Sequence, residues 1–498
     1  MSRALGAIER ALGTADVASL IGGEMVAGSG GAVTVEDPVT GGLAYTYADG
    51  GAAAAEAAFD AAATGGAAWR ALTASRRGEI LYAAAGKVRE NAEMLATLES
   101  ATAGKPIRDA RVEVAKVAEM FAFYAGYADK VFGDVVPVPT SHLNLVTREP
   151  LETVVQLTPW NAPVFTAGWQ LAPALASGCA AVLKPSELTA PSSLMLARLL
   201  HAAGVPEGAV SVVAGLGATA GAALVGDIRA GKVVFIGSVG TGRKVAAAAA
   251  MAGRPALLEL GGTSANIVFA DADLPRAAKA AQGAIFAAAG QSCTAGARLL
   301  VERPAYDRMV EWVAAGAARL TVGDPADPAT EVGPINNRRQ HEEVSRLIAA
   351  GDAEGATRVT GGPGEGEGFF VRPTVFAGVE PEMTIAREEI FGPVLSVTPF
   401  DTEEEALAIA NGGAFDLAGA VWTKDIFRGH RIAKALRAGT VWVNGYRALS
   451  VLTPFGGMRG SGFGRSSGID VMREYTQAKS VWIETDPDAT APFGYGPQ

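Results

Sequence analysis

The chain has 498 residues, is 49 % hydrophobic and carries a formal net charge of −10. That length is too great for one compact core and calls for two or three domains, while the acidic balance without any basic run excludes nucleic acid and an anionic membrane surface as partners. Two cysteines, Cys179 and Cys293, allow at most one disulfide, and four scattered histidines show no metal-ligand spacing, so neither a disulfide framework nor a metal site is expected.

No uninterrupted apolar stretch reaches the roughly 18 residues that span a bilayer. The opening MSRALGAIERALG has no apolar core followed by a cleavage site, so no secretory signal is expected, and the two cysteines make a reducing cytoplasm the simpler reading. After this leader, ASLIGGEMVAGSGGAVTVEDPVTGG reads as strand, turn and strand. Helical spacing runs from about Ala52 to Val117, and EILYAAAGKVRENAEMLATLES places Ile80, Ala83, Ala84 and Val88 on one face. From Thr153 onward, TVVQLTP, CAAVLKP, VSVVAG, KVVFIGS, PALLELGG and ANIVFA read as apolar strands alternating with Ala-rich helices. That alternation predicts a parallel sheet covered on both faces. A second α/β series runs from near Gly262 to about Gly460. The C-terminal REYTQAKSVWIET is strand-like and is followed by a tail containing Pro and Asp.

Two glycine-rich segments are candidates to hold a dinucleotide's phosphates. AGLGATAG has one residue too many in its last glycine spacing. VVFIGSVGTGR follows a strand and opens a helix, whose first N–H groups favour an anion. Spacing alone does not separate either from an ordinary strand-to-helix turn. The segment GQSCTAGARLL sets Cys293 among small and polar neighbours, unlike a cysteine used for packing. Cys179, between apolar positions, reads as buried and inert.

Taken in order, TPWNAPV, LKPSE, FIGSVGTG, LELGGTSANIV, GQSCTAGARLLV, EEIFGPVL and PFGGMRGSGFGR resemble the aldehyde dehydrogenase superfamily of the hydrolytic, NAD(P)-dependent kind, over nearly the whole chain. The resemblance implies an α/β fold. It comprises a Rossmann-type NAD-binding domain (1–127 and 150–261), an α/β catalytic domain (262–462) and a small β oligomerisation arm (128–149 and 470–487). It implies Cys293 as nucleophile, with helix N-terminal dipoles lowering the thiol pKa. Asn161, with the Cys293 backbone N–H, would hold the oxyanion, a donor of this kind being worth about 3 kcal/mol. Glu259, 34 positions before the cysteine, would activate water, with Gly261 and Gly262 leaving room for its side chain.

For the cofactor the resemblance implies Thr158, Pro159, Trp160, Lys184, Ser186, Glu187, Gly217, Gly237, Ser238, Gly261, Glu389 and Phe391. A carboxylate such as Glu187 accepts from a ribose 2′-OH and repels a 2′-phosphate, so NAD is expected over NADP. The substrate tunnel would include Phe165, Trp169, Ser292, Thr294, Arg447, Ser450 and Phe455, an apolar and partly aromatic wall for a medium aliphatic or aromatic aldehyde. Arg447 and Ser450 leave open a semialdehyde, since Arg clamps carboxylates, or an Arg447 facing solvent or a neighbouring subunit. A CoA-acylating enzyme is disfavoured by Glu259, a cysteine hydrolase by the absence of histidine from every motif, and a catalytically silent protein by the joint presence of Cys293, Glu259 and Asn161. A homodimer or homotetramer is expected.

Three positions depart from the family pattern. Gln170 stands where a lysine is common, Ile236 where threonine is, and Arg465-Ser466 replaces an Arg-Glu pair, so a salt bridge common there is expected to be missing.

Overall fold

In the computed structural model, which describes residues 2–364, 366–490, 493, 494 and 496, the predicted strands form the centre of an eight-stranded sheet. Five of them are parallel: Thr153–Leu157, Ala180–Lys184, Val210–Val212, Lys232–Ile236 and Ala256–Glu259. Their spatial order is third, second, first, fourth, fifth, the doubly wound arrangement with a switch point between the first and fourth strands. Their residues are almost wholly buried, which is why the runs read as apolar without alternation. A hairpin of Ser19–Ile21 and Glu24–Val26 extends one edge, and Gly462–Phe463 closes the other.

Register brings the carboxyl ends of these strands level. Leu157 is opposite Lys184 and Phe235, and Ile236 is opposite Glu259. The helix Pro163–Ala176 that leaves the first strand is predominantly apolar and is buried on nearly every side, including Thr166 and Gln170.

A second sheet of seven strands contains six parallel ones, with Ala265–Val268 and Arg298–Glu302 at its centre and Thr357–Pro363 antiparallel at one edge. A third sheet pairs Thr476–Glu484 with His142–Pro150 over nine residues, and Asp134–Val136 adds to it. Its last strand is exposed along almost its whole length, with Val481, Trp482 and Ile483 open to solvent.

The helical region resolves into Gly51–Ala71, Ala74–Glu90, Ala92–Ala103 and Ile107–Ala125. Within Ala74–Glu90 the buried face is Ile80, Leu81, Ala84, Ala85 and Val88. Ala83, expected on that face, is exposed, because the stripe follows the 3.6-residue period through Leu81 and Ala85 instead. The leader also holds an unpredicted helix, Arg3–Leu12, capped by the Ser2 side chain and burying Ala4, Ala7, Ile8 and Leu12. Residues 491, 492, 495, 497 and 498 of the tail lie outside the described residues. Among the described residues no helix is long and apolar enough to cross a membrane.

Trp69 is fully buried and its indole N–H donates to Leu175 O at 2.9 Å, tying the long Ala-rich helix to the end of Pro163–Ala176. Trp69→Ala opens a cavity and removes that hydrogen bond, so chemical denaturation is expected to show a loss of about 3–5 kcal/mol.

Candidate active site

The level strand ends create the site. The first strand runs out through Thr158, Pro159 and Trp160 to Asn161, and Pro163 then starts the following helix. The fifth strand ends on Glu259. The loop after it crosses toward the second sheet, where Cys293 sits between a tight turn, Ala287–Gly290, and the strand Arg298–Glu302. A Cβ at Gly262 would stand 2.9 Å from Cys293 O, so the two loops are packed backbone to backbone. Gly290, at φ +72°, approaches Gly392 so closely that a Cβ would lie 1.9 Å from its carbonyl oxygen. Ala288 and Ala289 precede it at φ 54° and 53°, a strained run for residues with a Cβ.

The Asn161 side-chain amide donates to Gln291 O at 2.9 Å, which brings it against the cysteine loop and leaves its second N–H for another acceptor. Gln291 itself was not anticipated. Its Oε1 accepts from Asn336 N at 2.8 Å and its amide donates to Ala288 O and Pro334 O, so it braces the strained turn. A long amide beside the cysteine was the only sequence signal for that role.

Electrostatics here run against the expected thiol acidity. Cys293 lies in a turn and not at a helix N-terminus. Burial, and then the nearby carboxylates of Glu259 and Glu389, push its thiol up to about 12, with Arg447 opposing. Glu259 is buried and raised to about 8, chiefly by desolvation, while a hydrogen bond from Ser466 and the charge of Arg465 hold it down and Glu474 adds to the rise. One carboxylate oxygen, Oε1, accepts from Ser466 Oγ at 2.7 Å; Oε2 is buried without a partner among the described residues. Glu389 is raised to about 7 by burial, against a hydrogen bond from Gly262 N at 2.9 Å. A Cβ at Gly261 would fall 1.9 Å from Glu389 Oε2. The two glycines therefore admit the Glu389 carboxylate and the Cys293 carbonyl, where the expectation was room for Glu259.

The residues expected to hold a cofactor line the same edge. Lys184 is buried with only Pro185 O accepting from its Nζ at 2.9 Å, and it stands 3.9 Å from the half-exposed Glu187 carboxylate. Tyr47 OH donates to Glu187 O at 3.0 Å, and Ser186 Oγ accepts from Leu188 N, so this loop is pinned. Ser238 caps the helix Val239–Met251. Gly217 begins a single wide turn whose neighbours Leu216 and Thr219 are held by Asp49. Both glycine segments thus flank one edge, and nothing lies within 4 Å of a Cβ at Gly217 or Gly240. A Cβ at Gly237, by contrast, would strike the Phe235 ring. The Thr158 hydroxyl is buried without a partner among the described residues. Trp160 meets Phe391 edge to face at 5.4 Å, with Phe391 at φ +53°.

On the opposite side Phe165 stacks on Trp169 at 5.3 Å, and Trp169 meets Phe455 edge to face at 6.0 Å. Ser292 and Thr294 hydroxyls lie 3.2 Å apart. Arg447, half-buried at φ +60°, makes long contacts to Gly283 O at 3.3 Å and Ala287 O at 3.5 Å. Ser450 is exposed, and its hydroxyl is taken up by Leu452 N in its own turn.

A half-buried cysteine, a buried carboxylate beside it and a doubly wound sheet with open glycine turns are the features of a dinucleotide-dependent enzyme. The comparisons sharpen this class. The aldehyde dehydrogenase family model matches residues 25–481. Human retinal dehydrogenase 2 is 42 % identical over 84 % of this chain and 82 % of its own length. The betaine aldehyde dehydrogenase of Bacillus subtilis (strain 168) is 40 % identical over 88 % of this chain and 89 % of its own. Among solved structures, PnpE from Pseudomonas sp. WBC-3, in its complex with nicotinamide adenine dinucleotide, superimposes with a TM-score of 0.93 at 40 % identity, covering 96 % of this chain and 99 % of that one. The chain belongs to the aldehyde dehydrogenase family, and it is an NAD-dependent oxidoreductase acting on aldehydes.

The residues fit that cofactor. Lys184 keeps buried donors to spare, Thr158 offers an unpartnered hydroxyl, and the first turn of Val239–Met251 opens beside a glycine with free space over it.

Gly290→Ala is expected to abolish turnover and lower the melting temperature. The side chain cannot coexist with Gly392 O, and relief requires moving the cysteine loop.

Proposed function

We propose that Cys293, Asn161 and Glu259 carry the oxidation of an aldehyde to its carboxylic acid through a thioester. The observation that supports this most is the convergence of the three side chains from two sheets on one partly buried spot, with one Glu259 oxygen unpaired among the described residues. Cys293 gives up its thiol proton to water as its Sγ adds to the aldehyde carbon, and the developing oxyanion accepts from the Asn161 amide and the Cys293 N–H. NAD, when bound, supplies the acceptor for the hydride that leaves this carbon. Glu259 Oε2 then takes a proton from water as the water oxygen attacks the thioester carbonyl, releasing the acid and restoring the Cys293 thiol.

Lys184 and Glu187 would bind the adenosine ribose, Ser186 would steady their loop, and Ser238 with Gly237, Gly217 and Gly261 would leave the backbone close to the pyrophosphate and nicotinamide. Glu389 and Phe391 would position the nicotinamide ribose and ring beside Thr158, Pro159 and Trp160. Glu187 favours NAD over NADP by charge. The domain division given above, assembly through the exposed strand Thr476–Glu484 into a dimer or tetramer, and a cytoplasmic setting belong to the same proposal; an open strand edge with exposed Trp482 is a surface that proteins cover.

The aromatic wall of Phe165, Trp169 and Phe455 favours a medium aliphatic or aromatic aldehyde. A semialdehyde is the second reading, because the Arg447 charge reaches the Cys293 thiol, although it also acts on the Asp109 and Glu113 carboxylates, and its guanidinium makes long contacts to carbonyls.

Three measurements test these assignments. Cys293→Ala is expected to form no NADH with any aldehyde, and Glu259→Gln to give one NADH per subunit followed by turnover reduced about 10²- to 10⁴-fold; steady formation of NADH by Cys293→Ala would overturn the mechanism. Glu259 acts as a base only when deprotonated, so thioester hydrolysis is expected to rise with pH through about 8. Across aldehydes with and without an ω-carboxylate, Arg447→Ala is expected to leave the preference for apolar substrates unchanged; a selective loss on the carboxylated ones would establish the semialdehyde reading.

A further inference from the structure

We infer that Ser466 is a positioning residue for the general base, its hydroxyl locked by Trp169 so that it donates to Glu259 Oε1 and leaves Oε2 for water. The inference rests on the reading of Glu259 as the base.

The polarity of this chain of bonds follows from chemistry. An indole nitrogen can only donate. Trp169 Nε1 lies 2.8 Å from Ser466 Oγ, so the serine oxygen accepts there. Its single proton is then free for Glu259 Oε1 at 2.7 Å, and the competing Phe455 O is at 3.4 Å. Ser466, Glu259 and Trp169 are all buried, so water does not substitute for either bond. The backbone beneath the serine is braced. Ser466 N donates to Phe455 O at 2.9 Å, and the neighbouring Arg465 guanidinium donates to Gly457 O and Gly464 O. The serine that replaces the family's usual glutamate thus makes no repulsive contact with the base and instead supports its ionised form.

Trp169 has a second role in this arrangement. Its ring forms part of the aromatic wall with Phe165 and Phe455, so the wall that would meet the substrate and the base that would hydrolyse the product ester share one side chain. The other groups acting on Glu259 are Arg465 and Glu474 from the segment carrying Ser466, and the Cys293 thiol from the facing loop. The hydrogen bond from Ser466 lowers the proton affinity of Glu259 against the effect of burial. Removing it raises that affinity further, so a larger fraction of the base is protonated at neutral pH.

The test uses p-nitrophenyl acetate, which acylates a nucleophilic cysteine without cofactor or aldehyde and expels p-nitrophenolate. Acetyl-enzyme is isolated by rapid desalting, and its loss to water is followed by intact mass from pH 5.5 to 9.5 for the wild type, Ser466→Ala and Ser466→Thr. Ser466→Ala is expected to deacetylate roughly tenfold more slowly at pH 7, with the acidic limb displaced upward by about one pH unit. Ser466→Thr, which keeps the hydroxyl, is expected to follow the wild type. An alanine limb coincident with the wild-type limb, or a threonine limb displaced as far as the alanine one, would overturn the inference. Failure of the wild type to acetylate Cys293, or to deacetylate faster than Glu259→Gln, would instead overturn the assigned roles of Cys293 and Glu259. Should Ser466→Ala not fold, Trp169→Phe carries the test. It removes only the donor that orients the hydroxyl, and a smaller displacement in the same direction is expected, whereas no displacement overturns the inference.

Discussion

Everything in the site depends on the register of five parallel strands. Because Leu157, Lys184, Ile236 and Glu259 end level with one another, the segments that follow them must leave the sheet at one edge. Parallel strands end there with carbonyl groups and helix starts, so open N–H donors gather where the chain reverses. A dinucleotide site and a carboxylate then share a boundary without any residue having to reach across the molecule. The second sheet needs only to bring one loop, that of Cys293, into contact with this edge, and Gly262 makes the contact by admitting the cysteine's own carbonyl.

Desolvation is what gives those neighbours their chemistry. Cys293, Glu259 and Glu389 all have raised proton affinities, with burial the first cause in each. Three acidic groups held close together resist ionising together. The groups that answer this are few: Arg447 toward the cysteine, Gly262 N–H toward Glu389, Ser466 and Arg465 toward Glu259.

The strain upstream of the cysteine belongs to the same design. Ala288 and Ala289 hold left-handed backbone at a cost of order 1 kcal/mol or more each. Gln291 fixes the turn by bonding to Ala288 O, Pro334 O and Asn336 N, and its carbonyl receives the Asn161 amide. The Asn161 amide and the Cys293 loop are thereby set relative to each other.

The parallel strands and the family were legible in the chain itself, because fully buried parallel strands are continuous apolar runs and because seven motifs occur in one order. The Arg3–Leu12 stripe is equally regular in sequence, with Ala4, Ala7, Ile8 and Leu12 on one face. Local sequence could not place Ala83 outside the helix face, since alanine fits either side and only the packing partner decides. Nor could it show why Gly261 and Gly290 must be glycine, because the atoms that fill their space, Glu389 Oε2 and Gly392 O, come from about a hundred residues or more away in the chain. The residue types needed for aldehyde oxidation were set by sequence alone. The raised thiol, the free Glu259 oxygen and the Trp169–Ser466–Glu259 chain were decided by tertiary structure, since proton affinity and hydrogen-bond direction depend on which groups burial brings together.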